Sequence, residues 1–137
     1  MEELLVTLLP RIEEASGLRL HPTYSYLRVY RRGDVLARHR DRPACEVTVS
    51  LNLGYVAATP WPLWIEAPAG VSSVQLEPGS ALLYRGTECF HWREMFSGEH
   101  AAQALLHYVD QDGPNASWKF DERSGSDIIK LPESDRP

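Results

Sequence analysis

The segment Ala37-Arg38-His39-Arg40-Asp41 sets an imidazole and a carboxylate two residues apart. Extended backbone sends alternate side chains to the same face, so on a strand His39 and Asp41 point the same way. Two such groups can hold adjacent positions on one metal ion. A third ligand from another strand would complete a set of two histidines and one carboxylate. His91, 50 residues beyond Asp41, is the candidate, and His107 is its rival. That set leaves three octahedral positions open, the arrangement of non-haem Fe(II) oxygenase centres. It also suits Zn²⁺ carrying a water poised for hydrolysis. Alone, His-x-Asp is a weak signal, and the bland reading is a solvated strand face flanked by Arg38, Arg40 and Arg42.

The elements that must position these residues are legible in the pattern. Leu4, Leu5, Leu8, Leu9, Ile12 and Ala15 recur at three- and four-residue steps, which predicts an amphipathic helix over residues 1–16 with Gly17 as its stop. Pro10 lacks an N–H, so a bend or break is expected there. Tyr24 to Tyr30, rich in aromatic and β-branched residues, reads as a strand, and Val35 to Asp41 as an extended segment. Cys45 to Leu53 alternates Val47, Val49, Leu51 and Leu53 with Glu46, Thr48, Ser50 and Asn52, a period of two. Further strands are expected at 61–66, 71–76, 81–84 and 87–93. The long apolar run Ala101 to Val109 fits strand or helix equally. Short strands separated by regular turn signals indicate a mainly β sandwich or barrel with the helix packed outside.

Composition narrows the function classes. With 137 residues the chain has the size of one domain. Expected within it are the N-terminal helix at 1–20, a β core at 24–110 and an extension at 111–137, whose final residues, 132–137, look frayed. Charged residues make up 24% of the chain and the net charge is −5, which disfavours a binder held mainly by phosphate contacts. No run reaches the roughly 20 apolar residues of a membrane span. The N-terminus lacks a basic start and a small-residue cleavage site. The two cysteines, Cys45 and Cys89, do not suggest a disulfide scaffold. A cytoplasmic setting is therefore expected.

From Tyr30-Arg-Arg-Gly33 through His39-Arg-Asp41, the period-two strand, Ala81-Leu-Leu-Tyr84, Phe90-His91 and Leu106-His-Tyr-Val-Asp110, the chain resembles the Fe(II)- and 2-oxoglutarate-dependent dioxygenases, in particular their prolyl-4-hydroxylase-like branch. The resemblance covers residues 24 to 110. It implies a double-stranded β-helix, a jelly-roll or cupin-like fold with the metal at one mouth. It implies His39, Asp41 and His91 as ligands of Fe(II), and Tyr30 as a hydrogen-bond donor to 2-oxoglutarate. The implied reaction consumes O₂ and 2-oxoglutarate, hydroxylates a C–H bond of a small molecule or protein side chain, and releases succinate and CO₂.

The chain departs from that family at one point. The usual Arg or Lys nine or ten residues after the distal histidine is replaced by His100 and Ala101. An unpaired buried carboxylate is costly, so another cation is needed. Arg93, two residues after His91 and on the same face of a strand, is the preferred substitute, because its fork suits a carboxylate. His100, Arg85 and Arg123 are alternatives. Gln103 and His107 share one parity and could touch cosubstrate or substrate; as a rule such groups are satisfied interior polar residues. Trp61, Trp64 and Trp92 read as core or rim packing. Cys45 and Cys89 read as small buried fillers, Cys89 sharing parity with His91. Arg28, Arg31, Arg32, Arg38, Arg40 and Arg42 surround the proposed mouth and could steer an anionic substrate inward. A zinc-dependent hydrolase on the same site and a non-catalytic binding module on the same fold are the competing readings.

Overall fold

A computed structural model describes residues 1–122. Helix α1 spans Glu2–Ser16. Eight strands follow: β1 Leu20–Arg31, β2 Leu36–His39, β3 Val47–Val56, β4 Leu63–Ala67, β5 Gly70–Val74, β6 Ala81–Arg85, β7 Phe90–Arg93 and β8 His100–Asp110. They pair antiparallel into two four-stranded sheets, ordered β1-β8-β3-β6 and β2-β7-β4-β5. Except at the β4–β5 hairpin, the chain alternates between the sheets as it winds, which is the double-stranded β-helix that the family resemblance implies. A short 3₁₀ turn at Pro43–Cys45 and two short turns within Ala116–Glu122, separated by a kink at Lys119, complete the described chain. No described helix is long and apolar enough to cross a membrane.

The alternation along β3 decides what lies inside. Val47 and Val49 point outward and pack with Leu20, Leu106, Tyr108 and Leu5 of α1, joined by Leu4, Leu8, Leu9 and Ile12. This outer layer is the principal apolar core. Burying a leucine such as Leu5 completely contributes about 1.5–3 kcal/mol. The Tyr108 hydroxyl donates to the Leu5 carbonyl at 2.8 Å and ties the sheet to the helix. Thr48, Ser50 and Asn52 take the opposite parity and face the barrel interior, where all three are buried. Strand β8 repeats the division, with Leu106 and Tyr108 outward and Gln103 and His107 inward. Because both of its faces are covered, its apolar run carries no clean periodicity, which is why the sequence left strand and helix open there. A second cluster, Tyr30, Trp61, Phe96 and Ala101, closes the other end.

Among the described residues no helix covers the outer face of the β2-β7-β4-β5 sheet. Trp64 and Trp92 lie parallel at 6.2 Å, and the guanidinium carbons of Arg38 and Arg40 sit 3.8 and 4.2 Å from the Phe90 ring centre. Arg38 also pairs with Glu66.

Helix α1 differs from expectation at Pro10, through which it runs uninterrupted. Pro10 and Val6 are both exposed, so water can take the Val6 carbonyl that loses its donor, while the buried stripe on the opposite side holds the helix together. Gly17 ends the helix in the left-handed conformation (φ 70°), its N–H bonded to Glu13 at 2.9 Å. The β core begins at Leu20 rather than residue 24. β2 ends at His39, so Asp41 lies just past the strand; its N–H donates to the Gly86 carbonyl at 2.8 Å.

Candidate metal centre

Register brings the three predicted ligands together. His39 on β2 sits opposite His91 on β7, and their ring centres are 4.3 Å apart. The bond from Asp41 to Gly86 turns its side chain back toward the pair. Asp41 Oδ1 lies 3.2 Å from Nε2 of His39 and 3.2 Å from Nε2 of His91. Metal–ligand bonds of about 2.1 Å place neighbouring donors roughly 3.0 Å apart on an octahedron and roughly 3.4 Å apart on a tetrahedron. The observed spacing accepts either geometry.

Both imidazoles are oriented for metal. Nδ1 of His39 lies 2.7 Å from the Ala37 carbonyl, and Nδ1 of His91 lies 2.9 Å from the Cys89 carbonyl. A carbonyl only accepts, so each Nδ1 carries a proton, and each Nε2 is turned to Asp41 Oδ1, the side on which a metal ion would take its lone pair. Asp41 Oδ2 accepts from the Thr48 hydroxyl at 3.1 Å, which leaves Oδ1 for the ion. Burial pushes the Asp41 carboxyl upward, but hydrogen bonding to His91, the nearby imidazoles and the Thr48 bond outweigh it, and it stays below the ordinary carboxylate value. The centre is graded in exposure: the His91 side chain is 3% accessible, Asp41 13% and His39 39%. Solvent and ligands therefore enter from the His39 side.

Gly86 makes room for this arrangement. A Cβ there would stand 2.5 Å from the Cys45 carbonyl and 2.8 Å from Thr48 Oγ1, and closer still to Asp41 Oδ2.

The triad opens on a small cavity, and Tyr30, Arg93, Gln103 and His107 all line it. Arg93 is 3% exposed. Its Nη1 donates to the Trp61 carbonyl at 2.6 Å and its Nη2 to Gln103 Oε1 at 3.4 Å. Gln103 is held in turn by Asn52, 3.3 Å away. Among the described residues no carboxylate pairs with Arg93. Burial lowers its affinity for the proton, but a guanidinium stays charged in proteins. The cavity thus contains, besides the Asp41 carboxylate at the triad, a cation with spare donors that no carboxylate pairs. Tyr26, Tyr30 and Tyr84 also line it, and burial raises all three phenols, so each keeps its proton to donate. The Tyr84 ring meets His91 edge-on at 4.9 Å.

The alternatives are resolved by position. His107 is not the third member of this triad: its Nδ1 lies 3.0 Å from Thr48 Oγ1, and burial drops its pKa to about 4. Asp41, Cys45 and His107 do form a second close group of possible ligands. Their donor atoms are engaged within the fold: the Thr48 hydroxyl meets Asp41 Oδ2 and His107 Nδ1, and the Tyr24 hydroxyl lies 3.0 Å from Cys45 Sγ. His100 is exposed, and Arg85 lies 3.7 Å from Glu46; neither lines the cavity. Arg123 is outside the described residues. The Cys89 carbonyl orients His91, while its side chain does not line the cavity. Of the basic cluster, Arg42 pairs with Asp121 at 2.9 Å and Arg28 lies over Tyr30 at 4.4 Å.

Three contributors escaped sequence reasoning: Thr48, Gly86 and Tyr84. The period-two pattern put Thr48 on one parity with Ser50 and Asn52, but nothing local said that this parity faces inward.

No family model and no curated protein matches the chain. Solved structures do share its fold. A 2OG-Fe(II) oxygenase family oxidoreductase from Burkholderia pseudomallei superposes with a TM-score of 0.69 at 13% identity, over 79% of this chain and 56% of that one. A prolyl-4-hydroxylase from Pseudomonas putida gives 0.61 at 17% identity, over 79% and 62%. SnoN, a non-heme alpha-ketoglutarate-dependent epimerase from nogalamycin biosynthesis, gives 0.63 at 13% identity, over 95% and 61%. The match thus spans little more than half the length of those chains. The likeness is one of fold: the chain carries the double-stranded β-helix found in 2OG-Fe(II) oxygenases.

Proposed function

On that fold, we propose that the chain is an Fe(II)- and 2-oxoglutarate-dependent oxygenase of the prolyl-4-hydroxylase-like branch, with His39, Asp41 and His91 as the metal ligands. The observation that carries the reading is the unpaired, buried guanidinium of Arg93 in the same cavity as the triad. Arg93 is two strand residues beyond His91, a spacing of about 6.7 Å. A five-carbon dicarboxylate spans such a gap, with its keto acid end at the triad and its far carboxylate on Arg93. Zinc hydrolysis does not by itself require a buried cation at that distance, and a binding module does not require two histidines held with both Nε2 atoms turned to one carboxylate.

When bound, Fe(II) would supply activation of O₂ coupled to decarboxylation of 2-oxoglutarate, giving succinate and CO₂ and oxidising a substrate C–H bond. The chain's own residues do the rest. Arg93 neutralises the far carboxylate and fixes its direction through a charge-assisted fork. The Tyr30 phenol supports the same cosubstrate, and Gln103 holds the guanidinium in place. The graded exposure of the triad keeps His91 dry and leaves the His39 side for substrate. A small molecule or a protein side chain enters there, and the exposed Arg28, Arg31 and Arg32 favour an anionic one. The setting is cytoplasmic.

The test is succinate release with Fe(II), O₂ and 2-oxoglutarate, for wild type and Asp41→Ala. Succinate from wild type alone is the expected result. Equal release from both would remove Asp41 from the ligand set, and turnover with zinc in the absence of oxygen would establish the hydrolase instead.

A further inference from the structure

Asp41 offers one oxygen to the two histidines, and its other oxygen must be restrained. A carboxylate free to rotate can swing both oxygens onto an ion and occupy a position that other ligands need. Thr48 supplies the restraint, but its single proton has competing acceptors. Thr48 Oγ1 lies 3.1 Å from Asp41 Oδ2, 3.1 Å from the Cys45 carbonyl and 3.0 Å from Nδ1 of His107. Thr48 is 1% exposed and His107 3%, so water does not adjust the network. The state of His107 decides where the proton goes. Were Nδ1 bare, it would compete for the Thr48 hydrogen. With Nδ1 protonated, it donates into Thr48 Oγ1 and leaves the hydrogen for an acceptor, of which the charged Asp41 is the strongest. The other ring nitrogen, Nε2, is buried with no partner among the described residues, as a lone-pair acceptor in that tautomer.

We infer that His107 is a positioning residue for the metal centre, acting through Thr48 to hold Asp41 in single-oxygen coordination. The relay runs from His107 Nδ1–H to Thr48 Oγ1–H to Asp41 Oδ2, and it joins β8, β3 and the end of β2 into one unit. His107 then contacts neither cosubstrate nor metal through Nδ1. The inference rests on the metal centre of the proposed function but not on 2-oxoglutarate. Groups that orient metal ligands typically change metal affinity 10–100-fold when removed.

The test is anaerobic titration with Mn(II), reading the free ion by electron paramagnetic resonance, with the melting curve of each metal-free variant recorded alongside. Thr48→Val removes the hydroxyl at nearly constant shape, and His107→Leu removes the donor. Each should weaken Mn(II) binding about tenfold or more. Thr48→Ser restores the hydroxyl, and His107→Asn restores an N–H at the δ position, so both should bind nearly as wild type does. A purely structural role would lower the melting temperature of Asn and Leu variants alike without separating their Mn(II) affinities. Wild-type affinity in Thr48→Val overturns the relay, and that variant carries the test if His107→Leu does not fold. A protein that binds Mn(II) with this pattern but releases no succinate would sink the oxygenase reading and leave the relay standing.

Discussion

Replacing Arg93 with Met separates binding from stability, because the two should move in opposite directions. Methionine fills similar volume without charge. In the wild type two N–H groups are engaged, one with the Trp61 carbonyl and one, at 3.4 Å, with Gln103. A guanidinium has five N–H donors, so at least three remain for a ligand. A bidentate bond to a buried carboxylate contributes about 3 kcal/mol, at the upper end for hydrogen bonds to charged groups. Its loss should raise the Kd for 2-oxoglutarate about a hundredfold. Metal-free stability should stay level or rise: the lost charged bond to Trp61 costs about 1.5–3 kcal/mol, while removal of an unpaired buried charge relieves a desolvation cost of several kcal/mol. The assay is anaerobic calorimetry of 2-oxoglutarate binding to Mn(II)-loaded protein, repeated with 2-oxopentanoate, which lacks the far carboxylate. Wild type should strongly prefer the dicarboxylate, and Arg93→Met should bind the two about equally. An unchanged preference for 2-oxoglutarate in Arg93→Met would refute the assignment. A loss of several kcal/mol in metal-free stability would show that the charge is compensated within the fold.

Three further outcomes follow from the packing and electrostatics. Gly86→Ala should weaken Mn(II) binding about tenfold or more while the protein remains folded, since the added methyl must displace Thr48 or the Asp41 carboxylate; the same titration checks it. Pro10→Ala should stabilise the protein by about 2 kcal/mol, the helix-interior cost of proline less its rigidifying effect on the unfolded chain, measured by urea denaturation. The metal-free protein should lose stability as pH falls from 6.5 toward 4. The unfolded chain binds a proton at His107 in that window and the folded chain does not, so stability rises with pH by up to about 3 kcal/mol. Asp41 acts at the lower end: its folded carboxyl lies below the ordinary value, so its contribution is present above about 4 and lost in stronger acid. Denaturation series at pH 4.5 and 7 on wild type and His107→Asn measure the histidine part, which the variant should lack.

The sequence by itself determined the short strands and the amphipathic helix, because each rests on local periodicity. His39 and Asp41 were legible as a pair since two residues of extended chain share a face, and Arg93 was legible as a cation beside His91 for the same reason. Alternation does not say which side of a strand is the inside. On β3 the apolar parity turned out to serve a helix packed from without, and the polar parity lined the barrel; only the placement of α1 on the outer face settles that. The partnership of His107, Thr48 and Asp41 joins residues 59 and 7 positions apart along the chain, and strand register alone brings them within hydrogen-bond reach. The need for glycine at 86 arises from a carboxylate that folds back on it. That Arg93 is unpaired is likewise a property of its surroundings, since a chain with 19 acidic residues offers many partners until the fold places them elsewhere.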